Sequence, residues 1–232
     1  MLIVGLSGSI GMGKSTASTM LRQLGVPVYD ADAAVHSLTV RNGPALPAIE
    51  REFPGVVKDG VLDRQKLGAE VFGNPAALRR LEAIIHPMVQ RKQRRFLTLA
   101  KRRREPIVVL DIPLLFEGNG QHRVDATIVV SAPAWLQRRR VLARPGMTDE
   151  KFAGILKQQT PDRVKRRHAT YVVPTGQGKA ETRRHLVRIV EELRGRQGEH
   201  WPPNAFRHRQ SLKRKKHPMK LILVELNTFK KI

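Results

Sequence analysis

Gly8-Ser9-Ile10-Gly11-Met12-Gly13-Lys14-Ser15 decides the fold, because it matches the phosphate-binding pattern G-x-x-x-x-G-K-[ST] at every fixed position. The apolar run Leu2–Leu6 before it predicts a β-strand, and apolar residues from Ala17 to Leu24 recur at helical spacing after it. This order of strand, loop and helix is the context in which the pattern binds a nucleoside triphosphate. The alternative is a glycine-rich turn that only joins a strand to a helix.

The residue types of this loop explain how it would hold phosphate. Glycines let backbone N–H groups turn toward phosphate oxygens, and the start of a helix adds a partial positive charge. Lys14 is long enough to reach the β- and γ-phosphates, and the Ser15 hydroxyl suits Mg²⁺. We therefore predict that the nucleotide contacts Gly11, Met12, Gly13, Lys14, Ser15 and Thr16.

The chain is strongly basic, with 43 Lys and Arg against 20 Asp and Glu and a formal net charge of +23. Eight basic residues and no acid lie in the run 91–104, and seven basic residues and no acid lie in the run 206–220. Such a charge favours either a nucleic-acid partner or an enzyme that concentrates polyanionic nucleotides, and solvated basic helix faces are the common third explanation. Charge alone leaves these interpretations open.

Targeting and redox signals are few. The chain has no cysteine, which excludes disulfides and thiolate metal sites. The first apolar run is only about six residues long and no basic segment precedes it, and no later run approaches the ~18 residues of a membrane span. We expect a cytoplasmic protein with no membrane partner.

Two aspartates follow the second predicted strand, Val26–Tyr29. The strand delivers Asp30 and Asp32 to its carboxyl end, where ligands bind in open α/β sheets. A helix is expected to begin near Ala31, which would make Asp30 its N-cap. Asp32 is then the carboxylate available for chemistry.

From about 42 to 104 the pattern changes, since prolines and glycines break the chain into short pieces with helical apolar spacing. We predict a helical insertion here, with one helix that opens at Asn74-Pro75 and is interrupted at His86-Pro87. Arg64, at a helix start after Asp63, either binds a phosphate or is solvated. His86 is either a site residue or a structural histidine.

The second half of the chain continues the alternation of strands and helices. The run Ile107–Ile112 is the clearest buried strand, and Asp111 at its end is a candidate to hold Mg²⁺ through a water. Another strand is predicted at Ala126–Ser131, followed by a helix that starts at Pro133 and carries several arginines. Some of these arginines must be solvated, and those that face the loop could bind phosphates as a kinase lid does. Helix starts are predicted at Thr148 and at Thr160-Pro161, a last short strand at 170–173 and a final helix closed by Gly195.

These elements predict an α/β protein of the phosphate-loop NTPase fold: a parallel sheet flanked by helices, with a helical substrate-binding insertion and a lid. The predicted kinase domain spans 1–195, with the insertion at about 42–104 and the lid at about 134–168. Residues 196–232 show no consistent period and are predicted to be a poorly ordered basic tail. Any nucleic-acid binding by that tail would be weak and would fall steeply with salt.

The order of the motifs resembles that of dephospho-CoA kinases over roughly residues 1–195. The stretches that carry the resemblance are the phosphate loop, Val26–Asp32 (Val-Pro-Val-Tyr-Asp-Ala-Asp), Asp63-Arg64, Ile85-His86-Pro87, Ile112–Glu117 (Ile-Pro-Leu-Leu-Phe-Glu) and Gln137 with Arg140 and Arg144. The resemblance implies transfer of the γ-phosphoryl group of ATP to the 3′-hydroxyl of the dephospho-CoA ribose, which is the last step of coenzyme A synthesis. ATP and Mg²⁺ are the implied cofactors.

The resemblance also implies roles for individual residues. Asp32 would be the catalytic base beside Lys14, and Arg140 and Arg144 would bind ATP from the lid. The implied contacts to dephospho-CoA are Asp32, Arg64, His86, Leu114 and Glu117, and the implied metal ligands are Ser15 and Asp111. The chain departs from the family near its last strand, where Ala169-Thr170 and Pro174-Thr175 replace the usual acidic and amide residues.

Two other functions compete with this prediction. One is another phosphate-loop nucleoside or nucleotide kinase. The other is a basic phosphate-loop ATPase or GTPase that regulates nucleic-acid binding. The second alternative is weakened because the chain has no guanine-specifying N-K-x-D and only 5% aromatic residues to stack on bases.

Overall fold

The structure, a computed structural model, describes residues 1–201. Within these residues the chain forms two compact units, one of residues 1–29 and 99–201 and the other of residues 30–98. Only the first six residues of the predicted tail, 196–201, are among those described. The rest of the tail, 202–232, lies outside them.

Strands and helices alternate along the described chain. The strands are β1 (Leu2–Ser7), β2 (Val28–Asp30), β3 (Val57–Lys58), β4 (Val61–Leu62), β5 (Ile107–Asp111), β6 (Ala126–Ser131) and β7 (Tyr171–Pro174). The helices are α1 (Lys14–Gln23), α2 (Ala31–Thr39), α3 (Leu46–Glu52), α4 (Arg64–Val71), α5 (Pro75–Arg102), α6 (Ala134–Leu142), α7 (Asp149–Gln158), α8 (Asp162–His168) and α9 (Lys179–Arg194).

A five-stranded sheet of order β2-β5-β1-β6-β7 forms the core. Strand β1 pairs in parallel with β5 and β6, with Leu2 opposite Ile107 and Val4 opposite Ala126, and β6 pairs in parallel with β7. All residues of β1, β5 and β6 are buried. A central parallel strand is covered on both faces, so its sequence is apolar throughout instead of alternating. The predicted fold class is confirmed.

Helices α1 and α9 pack together in the first unit. Ala17 and Leu21 of α1 and Leu186 and Leu193 of α9 are at most 1% exposed and join the apolar side chains of the sheet in one cluster. A helix that buries such a stripe is stabilised mainly by this packing and less by its intrinsic propensity.

Asp125 fastens the start of β1, because its carboxylate accepts the Ile3 N–H at 2.7 Å. It also accepts the N–H groups of Glu199 and His200 and contacts the His200 ring. Burial by itself would raise the pKa of Asp125, but these hydrogen bonds together hold the pKa below its ordinary value. The carboxylate is therefore stabilised in its charged form.

The second unit is mostly helical, and it also contains a small antiparallel hairpin of β3 and β4 that the sequence analysis did not predict. Asp59 and Gly60 form its two-residue turn with φ of 51° and 72°. Asp-Gly is a strong sequence signal for such a turn, because both positions need positive φ. The signal was present in the sequence, but the strands beside it are only two residues long.

The predicted interruption at His86-Pro87 is wrong, because α5 continues through Pro87. A proline inside a helix removes one backbone hydrogen bond and crowds the preceding turn. Here Leu81, Ile85 and Val89, on both sides of Pro87, are all buried in the apolar cluster of the second unit. Their packing outweighs the local loss. Among residues 1–201, no helix has both the length and the apolar character to cross a membrane.

Candidate active site

The phosphate loop connects β1 to α1 in a conformation that requires glycine. Gly11 and Gly13 have φ of 77° and 88°, in the left-handed region. A Cβ atom on Gly11 would lie 2.6 Å from the Val141 side chain of α6, and one on Gly13 would lie 3.3 Å from Thr175. Both the backbone angles and the close packing therefore exclude a side chain at Gly11.

Lys14, the first residue of α1, forms an ion pair with Asp111, the last residue of β5. The Lys14 Nζ donates to Asp111 Oδ1 at 2.5 Å, and the two side chains are 19% and 2% exposed. Strand β1, which leads into the phosphate loop and Lys14, pairs with β5, so the sheet order brings these two predicted residues together. Ser15, which is exposed, and Thr16, which is half-buried, follow in the first turn of α1.

Three side chains from later in the sequence hold the backbone of the loop. Gln137 Nε2 donates to the Ile10 carbonyl at 2.8 Å, the Ile10 N–H donates to Gln159 Oε1 at 3.0 Å, and Thr175 Oγ1 donates to the Met12 carbonyl at 2.7 Å. Sequence reasoning noted Gln137 among the lid residues and missed the other two as site residues. No local pattern marks them, because each contact joins residues more than a hundred positions apart.

The structure brings one of the two predicted lid arginines to the loop. Arg140 is half-buried, and its guanidinium donates to the Thr175 carbonyl at 2.7 Å and to the Thr175 hydroxyl at 3.2 Å. It also lies 3.5 Å from the Gly11 carbonyl. Arg144 is exposed, in the loop that follows α6.

The segment after β5 carries the predicted substrate residues Leu114 and Glu117. Leu114 is 4% exposed. The Glu117 carboxylate is 5% exposed and lies 2.9 Å from Nζ of Lys165, which is fully buried. It also accepts the Thr160 N–H at 2.8 Å. Lys165 was missed from sequence, because it is one of several basic residues in α8 and nothing local marks it as buried.

The aspartates after β2 behave as their helix signals predict. The Asp30 side chain accepts the Ala33 N–H at 2.9 Å and caps α2, which confirms the predicted N-cap. Asp32 lies in the first turn of α2 and is half-buried. A negative charge in the first turn is favoured by the helix dipole.

The two remaining predicted residues lie in the second unit. Arg64 is the first residue of α4 and is half-buried, and Asp63 before it caps the helix by accepting the N–H groups of Gln65 and Lys66. His86 is half-buried within α5. Both are therefore held on regular helices.

The loop region also offers oxygen donors for a divalent cation. The Ser15 hydroxyl and the Asp111 carboxylate are hard ligands of the kind that Mg²⁺ prefers. Mg²⁺ usually takes only one or two protein ligands and completes its octahedron with phosphate oxygens and water. Across residues 1–201 no group of three or more His, Asp or Glu side chains could hold a metal ion by itself.

Comparison with known proteins gives one consistent family. The dephospho-CoA kinase family model matches residues 2–181. A dephospho-CoA kinase of Mesorhizobium japonicum is 55% identical over 198 residues, which are 85% of this chain and all of that protein. One from Paramagnetospirillum magneticum is 60% identical over 166 residues, which are 72% of this chain and 78% of that protein.

Solved structures agree with the sequence relatives. The crystal structure of TT1252 from Thermus thermophilus superposes with a TM-score of 0.73 at 37% identity, covering 82% of this chain and 96% of that one. The dephospho-CoA kinase of Campylobacter jejuni superposes with a TM-score of 0.62 at 25% identity, with the same coverage.

Proposed function

The chain belongs to the dephospho-CoA kinase family, and on that premise we propose which of its residues carry out the transfer of phosphate from ATP to the 3′-hydroxyl of dephospho-CoA. Family membership selects this reaction among the functions that the sequence left open, and it makes the protein the enzyme of the last step of coenzyme A synthesis. The observation that carries the proposal is the phosphate loop with Lys14 beside Asp111.

Lys14 binds the β- and γ-phosphates of ATP in this proposal. Its side chain is 19% exposed and its Nζ is paired with one carboxylate oxygen, so phosphate oxygens can become additional or alternative partners. Gly11, Gly13, Ser15 and Thr16 supply backbone N–H groups to the phosphates, and Met12, whose own N–H donates to the Ser9 carbonyl, contacts the nucleotide as part of the same loop. Arg140, already beside the loop, and Arg144 neutralise the charge of the transferred group from the lid side.

Mg²⁺ accompanies ATP in the proposal, held by the Ser15 hydroxyl and, through a water, by Asp111. The chemistry of these oxygen donors fits the ion. When bound, Mg²⁺ neutralises charge on the β- and γ-phosphates.

Asp32 is proposed as the base that accepts the proton of the ribose hydroxyl. Two facts support this choice: Asp30 is already engaged as the cap of α2, and Asp32 follows β2, which is next to β5 in the sheet. A carboxylate within hydrogen-bond reach of the acceptor hydroxyl contributes ~10²–10⁴-fold to such a reaction. Positioning and charge neutralisation supply the rest.

Contacts of dephospho-CoA with Arg64, His86, Leu114 and Glu117 stay predictions that rest on the resemblance. So do the helical insertion as the cover of dephospho-CoA and the closing lid at about 134–168. The cytoplasmic location and the weak nucleic-acid binding by the basic tail also stay predictions.

The test is to incubate the protein with Mg-ATP and dephospho-CoA and to look for coenzyme A by mass. Asp32→Asn keeps the shape of the side chain and removes the proton acceptor, so turnover should fall about 10²-fold or more. Asp30→Asn is the matched control, since Asn caps a helix as well as Asp does and activity should change little. Absence of coenzyme A with the unaltered protein would refute the function. The reverse order of the two variants would assign the base to Asp30.

A further inference from the structure

Three side chains from other parts of the sequence form hydrogen bonds with the backbone of the phosphate loop, and the proposed nucleotide contacts assign no role to these bonds. Gln137 donates to the Ile10 carbonyl, and Thr175 donates to the Met12 carbonyl. Gln159 accepts the Ile10 N–H. Thus both backbone polar groups of Ile10, its N–H and its carbonyl, form hydrogen bonds with glutamine side chains.

The planarity of the peptide bond gives these contacts a consequence inside the loop. In a trans peptide the C=O of one residue and the N–H of the next point in opposite directions. When Gln137 fixes the Ile10 carbonyl, it also fixes the direction of the Gly11 N–H. Thr175 likewise fixes the Gly13 N–H through the Met12 carbonyl. Both N–H groups point away from the side chains that hold the loop.

The orientation of the two glutamine amides follows from the backbone. A carbonyl oxygen can only accept and an N–H can only donate, so Gln137 must present its NH₂ group and Gln159 its oxygen. The usual ambiguity between amide oxygen and nitrogen is therefore absent here. The two glutamines are opposite in polarity and serve the same residue, Ile10.

Each holding side chain is itself fixed. Gln137 is only 6% exposed on α6, and Thr175, also 6% exposed, follows β7 directly. Gln159 precedes Thr160, whose N–H donates to the Glu117 carboxylate, and that carboxylate pairs with the fully buried Lys165. The Glu117–Lys165 ion pair thus fixes the position of Thr160, the residue next to Gln159.

We propose that Gln137, Gln159 and Thr175 are positioning residues that hold the phosphate loop open for the triphosphate by aiming its N–H groups inward. This proposal deepens the function proposed above and rests on its nucleotide site. Glu117 and Lys165 act one step further out, by fixing the segment that carries Gln159. This positioning role of Glu117 is separate from its predicted contact with dephospho-CoA.

The first test uses Gln137→Met and Thr175→Val, which keep the size of the side chain. Gln137→Met removes the one hydrogen bond to the Ile10 carbonyl, whereas Thr175→Val removes the bond to the Met12 carbonyl and also the bond that the Thr175 hydroxyl accepts from Arg140. The KM for ATP and the Kd for Mg-ADP, the latter measured calorimetrically without dephospho-CoA, should each rise about tenfold, the size that one lost hydrogen bond supports. The KM for dephospho-CoA and the melting temperature should change little. Thr175→Ser restores the hydroxyl and should restore the nucleotide constants.

Gln23→Met is the matched control, because Gln23 is an exposed glutamine at the end of α1, away from the phosphate loop in sequence and outside all the loop contacts described above. Its nucleotide constants should equal those of the unaltered protein. If Thr175→Val and Gln137→Met keep a KM for ATP within about twofold of normal, the proposal is overturned. It is also overturned if both KM values and the melting temperature shift together, since that result describes a general loss of structure.

If Thr175→Val or Gln137→Met fails to fold, a second pair of variants tests the same proposal. Gln137→Glu and Gln159→Glu add the same charge on the two sides of Ile10, but a carboxylate accepts and cannot donate. Gln159→Glu therefore keeps its hydrogen bond, whereas Gln137→Glu loses one and opposes the Ile10 carbonyl. The Kd for Mg-ADP should be about tenfold weaker for Gln137→Glu than for Gln159→Glu. Equal values would overturn the proposal.

Since ADP binding is measured apart from turnover, failure of the kinase function would appear separately, as absence of coenzyme A with the unaltered protein.

Discussion

Two lysine–carboxylate pairs lie in the same unit of this protein and differ mainly in their access to water. Lys14 and Asp111 meet at 2.5 Å at the phosphate loop, where the lysine is 19% exposed. Lys165 of α8 lies 2.9 Å from the Glu117 carboxylate, and here the lysine is fully buried and the carboxylate is 5% exposed. The chemical groups are of the same kind in both places.

The difference in burial gives the two pairs different uses. A partly exposed lysine keeps water or a ligand within reach and can exchange its partner without any change of fold. A fully buried lysine cannot exchange its partner in this way, because leaving a charge unpaired inside the protein costs several kcal/mol per ion. The first pair is therefore suited to meet a triphosphate, and the second is suited to hold two segments of chain in fixed places.

The largest expected effect is on stability, at the buried pair. Lys165→Met leaves the Glu117 carboxylate buried without its cation and should reduce the free energy of unfolding by about 3–5 kcal/mol. Denaturant unfolding followed by circular dichroism measures this. The double variant Lys165→Met with Glu117→Gln removes both charges and should recover most of the loss, because Gln can still accept the Thr160 N–H. A double variant as unstable as the single one would contradict the assignment of a buried ion pair.

The next effect is on activity, at the exposed pair. Lys14→Met should reduce kcat/KM about 10²–10³-fold, the cost of removing one group that stabilises charge in the transition state. The free energy of unfolding should fall by about 1–3 kcal/mol, less than at the buried pair, because the 19% exposed position of Lys14 lets water partly replace the lysine beside Asp111. Steady-state kinetics and denaturant unfolding on the same preparation test both numbers. Near-normal turnover would remove Lys14 from the phosphate site.

The smallest expected effect is on the free energy of unfolding, at Asp125, a carboxylate that is held by backbone N–H groups instead of a lysine. Asp125 is held charged by backbone N–H groups and the His200 ring, and its pKa lies below the ordinary value. A lowered pKa stabilises the folded protein above the pKa of the unfolded chain, about 4, and this contribution is lost as the pH falls through the folded pKa. Asp125→Asn should therefore cost about 1 kcal/mol at pH 7 and progressively less below about pH 4. Urea unfolding from pH 7 to pH 3 would reveal a pH-independent difference if the charge of Asp125 plays no part.

Much of the fold could be read from the sequence, because its central strands have no polar face. The runs that became β1, β5 and β6 are apolar, and helix caps such as Asp30 and Thr148 act within three residues of the N–H they bind. Such local signals depend on nothing distant. The phosphate loop belongs to the same class, since its pattern is contiguous.

The residues that sequence reasoning missed share a dependence on distant chain. Gln159 and Thr175 look like ordinary polar loop residues until the fold brings them to the loop. Lys165 lies among exposed basic neighbours in α8, and only the burial of its side chain sets it apart. The continuous α5 was missed for a similar reason, because the side chains that compensate for Pro87 act through packing and not through local propensity.

The position of β1 at the centre of the sheet also constrains how the protein is made. Leu2–Ser7 leaves the ribosome long before its partners, because β5 begins only at Ile107 and β6 only at Ala126. At ~5–20 residues per second, translation takes roughly 5–20 s to deliver the first of them. During that interval an apolar strand has no sheet to join, and the loop behind it has neither Asp111 nor Thr175 to hold it. Nascent chains of this enzyme should therefore depend on chaperones until β5 and β6 have emerged.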